Sequence, residues 1–157
     1  MARIDGLLPM ATTYIPADHS LLRYVPFARL RRDEHDTVVG VLGAAFRLRE
    51  GEDYLSATWM EFFAGSRQDQ ITKAVQAIRA SDLKPTFKSG FAIGLVEEIC
   101  SACESHRRRY RLRIIHEPQN DNEAHAAVRG WPRDEDELLE LIADDVWNKV
   151  VLNRNIP

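Results

Sequence analysis

A chain of 157 residues that is 45% hydrophobic and 29% charged has the make-up of one ordinary globular domain, which excludes disordered and fibrous classes. A formal charge of −3, from 21 basic and 24 acidic side chains, sets freely diffusing nucleic-acid binders at a disadvantage. Two cysteines rule out a disulfide framework and no apolar run approaches the roughly 20 residues a bilayer needs, so a cytoplasmic protein off the membrane is expected.

Residues 1–20 read as an irregular arm, because Gly6, Pro9 and Pro16 interrupt any helix or ladder. Leu21 to Val25 form the first predicted strand, stopped by Pro26, which has no N–H to give a ladder. The β-branched run Thr37 to Leu42 is a second, and Ala44 to Arg49 a further extended piece. A turn at residues 50–53 leads into Tyr54-Leu55-Ser56. Trp59 to Phe63 reads as a helical turn. Ser66 then N-caps a helix, with Asp69 in its first turn and Ile71, Ala74, Val75 and Ile78 on one face.

Beyond Pro85 and Gly90, Phe91 to Ile93 is a short buried strand. A second helix from about Leu95 carries the stripe Leu95, Val96, Ile99, Cys100 and Cys103 and runs into arginines that complement its dipole. Arg111 to Ile115 is the strongest strand and His125 to Arg129 a short one. A last helix starts near Asp134 and buries Leu138, Leu141, Ile142, Val146 and Trp147. The tail 154–157 is expected to fray. Together these predict an α+β fold: one domain over 21–153, with a mixed or mostly antiparallel sheet of about four to five strands covered by about three helices.

No phosphate-binding Gly-rich loop, nucleophile elbow or zinc-peptidase motif is present. Cys100-x-x-Cys103 lacks the second ligand pair a zinc site needs and lies within an apolar stripe, so both thiols are expected in the core, with no metal and no cofactor. His116 ends one strand and His125 begins the next; paired as a hairpin they would meet, with Glu117 as orienting carboxylate and Arg129 as anion clamp. His19 and Arg23 could join them from the first strand. A third grouping is Ser56, Trp59 and Glu61. The order Arg23, Ser56, Glu61 is similar to that of some NAD-consuming ADP-ribosyl transferases, a likeness confined to three scattered residues.

Charge is unevenly placed. Arg107, Arg108, Arg109, Arg111 and Arg113 make the middle of the chain basic, and Asp134, Glu135, Asp136 and Glu137 open an acidic final helix. With 17 of the 21 basic residues being arginine, the usage points to a GC-rich bacterial genome. The reading preferred from these features is a small bacterial accessory protein, without enzymatic activity, that docks through charged surfaces onto a protein partner or another copy of itself. The first alternative is a nucleotide- or NAD-using transferase or hydrolase with His116, His125, Arg23, Ser56 and His19 at its site. A nucleic-acid-binding module, built on the arginine run and disfavoured by the acidic total, is the second.

Overall fold

Strand β1 (Ser20–Val25) lies inside the main sheet, and alternate side chains go to opposite faces, so both faces of the sheet have to be covered. The computed structural model describes residues 11–157. After β1 come β2 (Leu30–Arg32), β3 (Val38–Val41), β4 (Tyr54–Trp59), helix α1 (Arg67–Arg79), β5 (Gly90–Leu95) and α2 (Val96–Glu104). β6 (Arg113–His116), β7 (His125–Arg129), α3 (Asp136–Asp145) and β8 (Lys149–Leu152) complete the order. Six strands pair antiparallel in the order β6-β7-β4-β1-β5-β8, and β2-β3 forms a separate hairpin. The fold is the expected α+β domain with a mostly antiparallel sheet, six-stranded where four or five strands are predicted.

On one face, Leu21, Val25, Leu55, Ala57 and Val128 pack against α2, α3 and the β2-β3 hairpin, around Phe46 and Trp147. On the other, Leu22, Phe91 and Ile93 pack against Ile71, Ala74, Val75 and Ile78 of α1. α1 starts where predicted: Ser66 Oγ accepts the Asp69 N–H, and the Asp69 carboxylate accepts the Ser66 N–H in return. Because α1 sits over β1 and β5, the β4-β7 half of that face is left for something else.

Several elements differ from expectation. The first half of the piece Ala44 to Arg49 is not extended: Gly43–Phe46 winds into a 3-10 turn, with Glu140 capturing the Gly43 N–H and Phe46 buried against Trp147, and the backbone extends again only at Arg47. The tail beyond Asn153 does not fray. β8 pairs with β5, and the Arg79 guanidinium binds Asn153 Oδ1 and the carbonyls of Asn153, Ile156 and Pro157. Of the N-terminal arm, residues 1–10 lie outside the described residues. The remainder follows β6, with Ile15 N–H bonded to the Ile114 carbonyl and Tyr14 bridging Ile115. Among the described residues no helix is long and apolar enough to cross a membrane.

Candidate active site

The cleft begins as a split in the sheet. β1 pairs with β5 at six positions and β4 with β7 at five, but β1 meets β4 only at Leu21–Trp59 and Leu22–Thr58. Beyond Leu22 the two central strands part, and the side chain of Arg23 occupies the gap. Its Nη1 donates to the Ser56 carbonyl at 2.6 Å, and its Nε and Nη2 donate to the Ala45 carbonyl at 3.0 and 2.9 Å. The guanidinium thus gives the Ser56 carbonyl of β4 and the Ala45 carbonyl of the neighbouring 3-10 turn the donors they need. Burial pulls its pKa down to about 10, with the Glu52 carboxylate acting in the other direction, so it remains cationic at neutral pH. Three of a guanidinium's five N–H groups are used, and two remain to donate.

Ser56 and His125 stand on neighbouring strands. The register sets Ser56 opposite Ala127 and Thr58 opposite His125, so Tyr54, Ser56, Thr58 and His125 share the face that α1 leaves uncovered. Ser56 Oγ lies 2.7 Å from His125 Nε2, and His125 Nδ1 lies 2.9 Å from the Glu117 carbonyl. A carbonyl can only accept, so Nδ1 carries the proton and the Nε2 lone pair receives the Ser56 hydroxyl. His125 is 3% exposed. Its burial lowers the imidazole pKa, against the opposing pull of the Glu117 carbonyl and carboxylate, which keeps the ring neutral at pH 7. A hydroxyl donating to a neutral, oriented imidazole is the arrangement of an activated nucleophile or an acid-base pair.

Both side chains line a cleft of about 920 Å³, within the range of small-molecule sites. Arg23, Arg29, Arg47 and Arg49 line it among the carboxylates of Glu52, Asp53 and Asp82, with Gln119, Asp121 and Asn122 at the β6-β7 turn, and Ile78 and Leu83 at and just beyond the end of α1. Nothing among protein-family models, curated proteins or solved structures matches the chain. Chemistry has to be read from the cleft itself.

The five histidine, arginine and serine candidates divide into two groups. Arg23, Ser56 and His125 converge at the cleft, whereas His19 and His116 do not. β6 and β7 do pair as a hairpin, but His116 stands opposite Ala126, one position along from His125, and a step of one residue reverses the face. His116 accordingly lies against Trp59 at 5.2 Å between ring centroids, with His19 on the same indole at 5.9 Å. The His19 Nδ1 accepts the Trp59 Nε1–H, and the His116 Nε2 lies 2.8 Å from the Glu123 carbonyl. Glu61 is also elsewhere, since its carboxylate caps the Ser20 N–H and faces Arg67. Glu61 therefore does not join Arg23 and Ser56 at the cleft, and the order Arg23, Ser56, Glu61 forms no single site.

Cys103 is fully buried beside α3 and its thiol is pushed up to about 12 by that burial; Cys100 is half-buried one turn earlier. The charged segments meet within the molecule: Arg108 lies 3.5 Å from Glu135, which also accepts the Tyr110 hydroxyl, and Asp136 bonds Arg47. Arg111 reaches only Glu104, at 4.0 Å. Among the described residues, Arg107, Arg109 and Arg113 have no carboxylate within ion-pair distance. Sequence reasoning missed Tyr54, Thr58 and Asn122. The alternation Tyr54, Ser56, Thr58 on a predicted strand carried the signal for the first two.

Proposed function

We propose that the chain is an enzyme that acts on a nucleotide or NAD-type ligand in the cleft between β1 and β4, as a group transferase or a hydrolase. The observation that carries this reading is the chain of contacts from the Glu117 carbonyl through His125 to the Ser56 hydroxyl, opening on a cleft whose lining includes the Arg23 guanidinium. In the reaction, Ser56 Oγ bonds to an electrophilic carbon or phosphorus of the ligand while His125 Nε2 takes the hydroxyl proton. The bond to the leaving group breaks with its electron pair, and the imidazolium returns the proton to that group. Water or another acceptor then releases the transferred group from Ser56 by the reverse proton path. Arg23 offers its two spare N–H groups to a ligand phosphate, with Arg47 and Arg49 at the rim. Tyr54 supplies an aromatic surface beside His125.

The test is product analysis after incubation with NAD, ADP-ribose and nucleoside di- and triphosphates. Ser56→Ala and His125→Gln are each expected to lower kcat/KM by about 10²- to 10⁴-fold with the melting transition retained. Unchanged turnover in both variants, or no turnover of any of these by the wild-type chain, removes the reading.

The exposed cations Arg107, Arg109 and Arg113 favour a second reading, as a bacterial cytoplasmic accessory protein that docks on an acidic partner or a second copy. Sedimentation at low and high salt separates the two: association that salt dissolves supports docking, and a monomer under both conditions opposes it.

A further inference from the structure

The turn between β6 and β7 holds His125 through groups that lie behind the reacting Ser56–His125 pair. Glu117 and His125 are bonded twice: the Glu117 N–H donates to the His125 carbonyl at 3.0 Å, and the His125 Nδ1–H donates back to the Glu117 carbonyl at 2.9 Å. Pro118 follows Glu117, and a residue before proline is held to extended backbone, which restricts the direction of that carbonyl. The Glu117 carboxylate is clamped by Arg129 on both oxygens, Nε to Oε2 at 2.6 Å and Nη2 to Oε1 at 2.7 Å. The same guanidinium lies 4.8 Å from the centre of the Tyr54 ring, whose own centroid is 5.7 Å from that of His125 in an edge-on arrangement. Gln119 donates to the Tyr54 hydroxyl, closing the circuit on the turn.

From this we infer that Glu117 and Arg129 form a positioning pair that locks His125 as the Nδ1–H tautomer, with its Nε2 lone pair directed at Ser56. The ion pair fixes both walls of the imidazole at once: the Glu117 main chain behind it and, through the guanidinium stacked on Tyr54, the aromatic ring beside it. Arg129 suits this role because a planar fork can bond a carboxylate twice while stacking on a ring, which an ammonium cannot do. Sequence reading assigns Arg129 to an anion in the cleft; its two bonds to Glu117 commit it to His125 instead. The other titratable groups facing the imidazole are Asp121 from the turn and His116 from β6, and neither bonds to it.

The role of the pair in chemistry rests on the enzymatic reading above, but its test does not require a substrate. Imidazole nitrogen resonances of the ligand-free chain report the tautomer directly. In the wild type, Nδ1 is expected at the position of a protonated nitrogen and Nε2 at that of a bare one. Arg129→Lys and Glu117→Gln are both expected to draw the two His125 resonances toward each other, the sign of mixed tautomers. Arg133→Lys, at an arginine that bonds the Glu52 carbonyl and neither Glu117 nor His125, is expected to leave them in place. A wild-type ring protonated on Nε2, or a pure Nδ1–H tautomer in both variants, overturns the proposal. Because the wild-type measurement stands alone, a variant that fails to fold does not protect the idea. A chain that turns over no nucleotide but shows this tautomer pattern loses the enzymatic reading and keeps the positioning pair.

Discussion

Arg23 holds the split sheet and faces the cleft, so its removal acts on both stability and binding. Arg23→Met keeps most of the side-chain volume but leaves the Ser56 and Ala45 carbonyls without their donors. Each unsatisfied carbonyl costs about 1–3 kcal/mol, and urea unfolding should show a loss of that order. A variant as stable as wild type contradicts the bridging role. His125 and Glu117 set the acid response. Burial holds the imidazole below its ordinary 6.5, and the bonds to Arg129 hold the Glu117 carboxyl below its ordinary 4.5. In each case the unfolded chain binds a proton before the folded one does, so stability falls as pH falls from the ordinary value toward the folded one. The His125 contribution starts to be lost just below pH 6.5 and the Glu117 contribution only below about 4.5. Urea midpoints between pH 7.5 and 5 should decline in the wild type and flatten in His125→Gln; equal slopes would remove His125 from the account.

Among the elements, α1 and the C-terminal segment show how far local pattern reaches. Ser66, Asp69 and the spacing Ile71, Ala74, Val75, Ile78 define α1 before any tertiary contact exists, and the helix follows them. Ser66→Ala should cost about 1 kcal/mol, since it removes the acceptor for the Asp69 N–H. β8 and the docked tail were not legible, because they depend on an edge of β5 and on Arg79, both far along the chain. Arg79→Met is therefore expected to free the tail and render it sensitive to carboxypeptidase; resistance equal to wild type would show that Ile156 alone retains it. The candidate site was half legible for a related reason. Strand ends and residue types singled out Arg23, Ser56 and His125, while the facing of His116 and His125 depends on a one-residue register that no composition reveals. The 3-10 turn at Gly43–Phe46, which supplies the Ala45 carbonyl, depends on Glu140 of α3 and has no local signature.

For the molecule as a whole, the two readings of function differ in where they expect a ligand. Docking uses the arginines from Arg107 to Arg113, part of which is already engaged by Glu135 and Glu104. Enzymatic action uses the opening in the sheet, where the side chains of three strands, a 3-10 turn and the end of α1 face one volume. A ligand held there bridges β1 to β4 and should raise the melting temperature, by mass action, as its concentration passes the Kd. The most direct measurement follows the His125 ring resonances while NAD, ADP-ribose or a nucleoside diphosphate is titrated into the wild-type chain. A saturable displacement of the His125 signals, with those of the exposed His35 in the β2-β3 turn, which does not line the cleft, unmoved, is the outcome expected. His125 signals that stay in place throughout every titration would contradict a nucleotide site in this cleft.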